Sequence, residues 1–162
     1  MSLANRNVLI TGGSVGIGRE IAMGMAAKGA SVTLIARNET ELAATVAELP
    51  VQGFEEHSYF AMDVASSADW ERFGEWRKSR SAFTDLISSA GIYGPIGPLG
   101  SYDIDEFART LDINLTGTVR AVQHVLADLK ANAGSVLLLA GGGAATPNPN
   151  FTAYGTSKAA IV

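Results

Sequence analysis

The chain has no cysteine in its 162 residues, which excludes disulfides, thiolate nucleophiles and cysteine-ligated zinc, and fits a reducing compartment. Histidine occurs only twice, as His57 and His124, with no ligand-spaced partner, so no metal site is expected. No apolar run approaches the roughly 18 residues of a membrane-spanning helix. Charge of one sign is also scarce: 12 Lys and Arg against 16 Asp and Glu leave a net −4 without a basic block. Neither nucleic acid nor an anionic membrane is therefore expected as the main partner. The opening "MSLANRN" lacks the charged-then-apolar plan of a signal peptide, and its first residues read as an expression leader. The cytoplasm is the default location.

What the chain does contain is apolar residues in short runs and 18 glycines at telling places. "NVLITG" (7–12), "SVTLIAR" (31–37), "HSYFAMDV" (57–64), "FTDLISSAG" (83–91) and "GSVLLLAG" (134–141) read as five strands, the first two short, β-branched and nearly all apolar, as buried parallel strands should be. Helical patterns lie between them. "GREIAMGMAAKG" presents Ile21, Met25 and Lys28 at helical spacing and stops at Gly29. "NETELAATVAEL" opens with Asn38 as cap and Glu41 three residues on, a capping-box arrangement, and Pro50 closes it. "SADWERFGEWRKS" (67–79) carries Trp70 and Trp76 as core or groove anchors. Helical stretches follow at about 103–111 and 113–131, and a last helix begins after the loose segment 142–150. Strands joined by helical crossovers predict a single α/β domain over 1–162, a doubly wound parallel sheet covered on both faces. There is no internal repeat and no linker.

The segment "TGGSVGIG" (11–18) falls where the first strand passes into the first helix. Gly12, Gly16 and Gly18 allow a tight turn, close backbone approach to a pyrophosphate, and helix-on-strand packing. Exposed N–H groups and the helix dipole then attract phosphate, with Ser14 and Ile17 in the same cradle. The setting predicts a Rossmann-type dinucleotide site. An acid usually ends the second strand of such folds and holds the ribose hydroxyls. Here the strand ends in Ala36–Arg37. A guanidinium suits a ribose 2′-phosphate, so NADP(H) is favoured and NAD(H) is the alternative. Position 15 is valine and supplies no second cation.

Near the other end stands Y-x-x-x-K, Tyr154 and Lys158. Four residues apart, the two share one helix face. A hydride delivered to a carbonyl carbon builds negative charge on oxygen, which needs a proton donor, and a neighbouring ammonium favours a phenol's ionised form. T-G-x-x-x-G-x-G at 11–18, Asp63–Val64, Ala90–Gly91, Asn114-Leu-Thr-Gly117 and Tyr154-x-x-x-Lys158, in that order, resemble the short-chain dehydrogenase/reductase family over essentially the whole chain.

The resemblance implies an NAD(P)-dependent oxidoreductase acting on a small-molecule carbonyl or secondary alcohol. It makes Tyr154 the general acid or base, Lys158 the holder of the nicotinamide ribose, and Asn114 the support of a proton relay. Asp63 and Val64 would meet the adenine, and Ala90 and Gly91 the adjoining ribose. The family's usual catalytic serine is replaced by Gly141, and its Asn-Ala-Gly reads Ser89-Ala90-Gly91. The alternative function is therefore a cofactor-binding fragment or pseudoenzyme without turnover, with an assembly role for the scaffold as a third. Family members continue past the lysine, so the sheet is expected to lack C-terminal strands and the longer form to be a homo-oligomer. Ile92, Tyr93, Ile96 and Phe151 are expected as partly apolar pocket walls.

Overall fold

The computed structural model describes residues 2–51, 56–146 and 148–162; Met1 of the opening stretch and Pro147 of the second loose segment lie outside them. Five parallel strands, β1 (Asn7–Thr11), β2 (Ser31–Ala36), β3 (Ser58–Ala61), β4 (Asp85–Ser88) and β5 (Ser135–Leu138), form one sheet in the order β3-β2-β1-β4-β5. The order reverses direction at β1, so a crevice opens outside the carboxyl ends of β1 and β4, where α/β sheets bind ligands. Register is continuous across it: Leu9 lies beside Thr33 on one flank and Leu86 on the other.

The two sheet faces carry separate cores. Val8, Ile10, Val32 and Leu34 pack with Ala22, Ala26 and Leu42 of α1 (Gly16–Ala26) and α2 (Glu39–Glu48). Leu9, Ile35 and Leu86 pack on the opposite face with Trp70, Phe73, Val125 and Leu129 of α3 (Ser67–Trp76) and α5 (Gly117–Ala131). Alternating Cβ directions along each strand divide one apolar run between two helical layers. The doubly wound expectation therefore holds.

One helix packs differently from its sequence pattern. In α1 the buried stripe is Gly18, Ala22 and Ala26, while Ile21 and Met25 are half-buried and Lys28 is exposed. The physical reason is distance: Gly18 abuts the backbone of Gly12, and at that approach only small residues fit under the helix. The capping box of α2 is half realised. Glu41 N–H donates to Asn38 Oδ1 at 3.2 Å, but the Glu41 carboxylate turns to Ser14 instead of back to the cap. Trp70 is fully buried and its Nε1–H donates to Val64 O at 2.8 Å, whereas Trp76 lies half-buried under Arg80.

The histidines are structural. His57 links Val32 N–H to Pro50 O, and His124 stacks on Trp70 at 4.9 Å. Burial, aided by Arg77, holds the His124 imidazole below the ordinary histidine range. No helix is long and apolar enough to cross a membrane, and no cluster of three metal-ligating residues occurs, among the described residues.

Candidate active site

A cleft of about 810 Å3 runs along the carboxyl edge of the sheet. Its lining includes Gly12, Ser14, Ile17, Arg37, Asp63, Val64, Ala90, Gly91, Tyr154 and Lys158, so ten expected site residues meet in one space. Gly16 and Gly18 belong to the loop and helix start beneath it. Asn114 is fully buried behind the wall.

The glycine loop is held from below by backbone and by one side-chain hydroxyl. Gly12 N–H donates to Ile35 O at 2.7 Å, and Thr45 Oγ1 donates to Ser14 O at 2.9 Å. Gly12 has φ +68°, and a Cβ there would lie 2.7 Å from the Ala90 backbone. Only glycine lets the ends of β1 and β4 meet this closely, and their meeting forms the cleft floor. Ser14 is nearly buried, and its hydroxyl donates to Glu41 Oε2 at 3.2 Å.

Along the β2–β3 side, Arg37 is exposed and has neither an ion pair nor a hydrogen bond among the described residues. Asp63 is pinned: its carboxylate accepts from Ala65 N–H at 2.9 Å and from Arg109 Nη2 at 3.3 Å. Val64 is fixed by the Trp70 bond to its carbonyl.

The opposite end is built from side chains. Tyr154 and Lys158 lie on α6 (Thr152–Ala159), facing the same way as their spacing predicted. Lys158 is nearly buried, its Nζ donates to Leu139 O at 2.7 Å, and it lies 5.9 Å from the Tyr154 ring centroid. Burial pushes the Lys158 ammonium below the ordinary lysine range. Tyr93 and Phe151 flank Tyr154, with ring centroids 5.1 and 6.5 Å away. Of the expected apolar walls, Ile92 and Tyr93 line the cleft and Phe151 packs on its tyrosines, but Ile96 is largely exposed outside the lining.

Asn114 sits on a π-helical turn, Asp112–Thr116, between α4 (Ile104–Leu111) and α5. Such wide turns re-aim a side chain within a continuous helix. Its Oδ1 accepts from Ile92 N–H at 2.8 Å, and its Nδ2 donates to Ile92 O and Ser157 Oγ, both at 2.9 Å. Ser157 Oγ in turn donates to Tyr154 O at 2.8 Å. Asn114 is thus a bracket between the loop after β4 and the helix carrying Tyr154. A Cβ on Gly91 would lie 3.2 Å from Asn114 Oδ1 and 3.6 Å from Lys158 Nζ, which keeps that corner open.

One feature escaped sequence reasoning. Ser88 is part of a buried hydroxyl chain, 2.9 Å from Thr118 Oγ1, which donates to Asn114 O at 2.8 Å; no local pattern marks it. At Gly141, which the sequence marks as standing where the family pattern has a serine, the structure adds the geometry. The Gly141 φ is +156°, and a Cβ there would lie 2.7 Å from Tyr154 Oη. The phenol occupies the space that a side chain at this position would need.

Residues 6–162 match the family model for short chain dehydrogenase. The chain belongs to the short-chain dehydrogenase family. Over 161 residues it is 33% identical to 2-dehydro-3-deoxy-L-rhamnonate dehydrogenase (NAD(+)) of Sphingomonas sp. (strain SKA58), covering 98% of this chain and 63% of that protein. The structure superposes with a TM-score of 0.90 on a short-chain type dehydrogenase/reductase from Mycobacterium ulcerans, at 29% identity and covering 99% of this chain and 60% of that one. It also matches a short chain dehydrogenase from Escherichia coli CFT073 complexed with NADPH, with a TM-score of 0.88, 27% identity, and coverage of 98% and 68%. The chain therefore spans about six tenths of the length of its curated relative.

The residues present fit a nicotinamide dinucleotide. A glycine cradle that a Cβ would obstruct lies at one part of the cleft, an uncommitted guanidinium at its rim, and a buried ammonium beside a phenol at the far end.

Proposed function

We propose that this short-chain dehydrogenase transfers a hydride between a nicotinamide dinucleotide, NADP(H) in preference to NAD(H), and a small-molecule carbonyl or secondary alcohol. The observation that supports the reading is one continuous cleft lined both by the glycine loop with Arg37 and by Tyr154 with Lys158. When bound, the dinucleotide supplies or accepts the hydride. The protein's own residues do the rest.

The N–H groups of the glycine loop and the start of α1 hold the pyrophosphate. Asp63 and Val64 bound the adenine, and backbone at Ala90 and Gly91 the adjoining ribose. Arg37 pairs with a 2′-phosphate. In carbonyl reduction, Tyr154 gives its phenolic proton to the substrate oxygen; in alcohol oxidation it takes that proton back. Lys158, held by Leu139 O, holds the nicotinamide ribose and keeps positive charge beside the phenol. Asn114 supports proton movement by fixing Ile92 and Ser157, and through Ser157 the backbone of Tyr154. The exposed Val119 and Leu126 of α5 offer apolar surface for a homo-oligomer.

A titration of the chain with NADPH and NADH, followed by nicotinamide fluorescence, tests the reading. Arg37→Glu is expected to weaken NADPH binding by about tenfold or more, in line with loss of a charge-assisted bond, and NADH by much less. Equal losses would refute the 2′-phosphate role. Binding of neither dinucleotide by the wild-type chain would refute the proposal.

Gly141 favours one second reading, a cofactor-binding protein without turnover, because no side-chain hydroxyl there polarises a substrate oxygen. Cofactor binding with no absorbance change across a panel of ketones and secondary alcohols would select it.

A further inference from the structure

The adenosine end of the cleft holds two charged groups of opposite sign that do not pair with each other. Arg37 and Glu41 both line it, Arg37 just past β2 and Glu41 in the first turn of α2. Among the described residues Glu41 has no ion-pair partner. Its carboxylate instead accepts the Ser14 hydroxyl, and its backbone N–H donates to Asn38 Oδ1. Ser14 is nearly buried, and Glu41 is the acceptor its proton has found. The Ser14 carbonyl is tied to the same helix by Thr45. The start of α2 and the glycine loop are thus locked together at the point where a ribose 2′-substituent would lie beside Arg37.

We propose that Glu41 is a specificity-determining residue that opposes Arg37 and narrows the preference for the phosphorylated dinucleotide. This rests on the reading of the cleft as a nicotinamide-dinucleotide site. A 2′-phosphate seated on Arg37 brings a dianion into the space that the Glu41 carboxylate already lines, and like charges repel. The Ser14 hydroxyl, a good phosphate donor, must leave Glu41 to serve it. A ribose 2′-hydroxyl suffers neither effect, because a carboxylate is an acceptor for it. Arg37 therefore raises NADPH affinity, and Glu41 lowers it without comparable effect on NADH.

The test is a fluorescence titration of wild type, Glu41→Gln and Ser14→Ala with each dinucleotide, at low and high salt. Gln keeps an acceptor oxygen for Ser14 and removes only the charge. Because Glu41 is exposed and screened, NADPH should bind Glu41→Gln about three- to fivefold more tightly, with NADH changed less than twofold. The gain should shrink at high salt. Ser14→Ala frees the carboxylate but loses the phosphate donor, so it should weaken NADPH more than NADH. Far-UV circular dichroism and a melting curve establish that each variant is folded.

An unchanged NADPH-to-NADH ratio in folded Glu41→Gln, or equal tightening of both, would overturn the role of Glu41 while leaving the dinucleotide site intact. Binding of neither dinucleotide by the wild type would overturn the underlying reading and this inference together.

Discussion

The two ends of the cleft are made in different ways. At the glycine-loop end, consecutive βα units supply the parts, and backbone does most of the holding: Gly12 and Gly13 both donate to Ile35 O, with one side-chain bond, from Thr45 Oγ1, on the Ser14 carbonyl. At the reactive end four separated segments converge, and side chains hold them: Asn114 on Ile92 and Ser157, Lys158 on Leu139, Tyr93 and Phe151 against Tyr154. Backbone hydrogen bonds survive most substitutions, because every residue carries the same N–H and C=O. Side-chain brackets do not. The glycine-loop end should tolerate change gradually, and the end at Tyr154 and Lys158 should fail at single atoms.

Tyr154→Phe tests that difference most severely. It deletes one oxygen while keeping the ring that Tyr93 and Phe151 contact. Turnover in an active form should fall by about 10³-fold, the usual scale for losing a positioned proton donor, with dinucleotide affinity nearly unchanged. A large loss of affinity in a titration would show that the two ends are not separable.

Gly141→Ser sharpens the comparison at the next level. A serine suggests itself as a repair toward the family pattern, but its Cβ would lie 2.7 Å from Tyr154 Oη, on a backbone conformation that favours glycine. The phenol must move. Turnover should fall rather than rise, by about tenfold or more as expected for a misplaced reacting group, while NADPH titration stays close to wild type. A gain in turnover would show that Tyr154 has room to retreat.

The smallest effect concerns a site outside the cleft, the half-buried His124 against Trp70 where α5 meets α3. The folded state disfavours a charged His124, because burial and Arg77 lower its affinity for a proton. Below its lowered folded value the histidine is charged in both states and the full cost is present. As pH rises from there through the ordinary histidine range, the unfolded chain binds more protons than the folded one, so stability rises and then levels off. Melting temperatures should increase modestly across mildly acidic pH toward neutrality, and His124→Gln should flatten that slope. A slope unchanged in the variant would assign the dependence to other groups.

Much of this architecture was legible in the chain. Buried strands such as Val8–Ile10 and Val32–Leu34 announce themselves by length and β-branching, and the helix cap at Asn38 is a local signal that the structure realises. Legible too was the glycine loop, because its shape depends on backbone conformation at neighbouring positions. Less legible was α1, where Ile21 and Met25 suggested a face that the close approach of Gly18 to Gly12 replaced with Ala22 and Ala26.

By itself the order of apolar runs, glycines and the Tyr-x-x-x-Lys pair determined a parallel α/β sheet, a glycine-rich turn from the first strand into the first helix, and a phenol and an ammonium on one helical face. The turn and the helical pair depend on residues a few positions apart, which spacing encodes directly, and the parallel sheet follows because short apolar runs joined by helical crossovers pair in no other way. Only the tertiary structure decided that Asn114 would bracket Ile92 to Ser157, that Tyr154 would fill the place beside Gly141, and that Glu41 would face Ser14 instead of its own cap. Each joins groups well separated along the chain, and the contact exists only after the sheet has brought their elements to one edge.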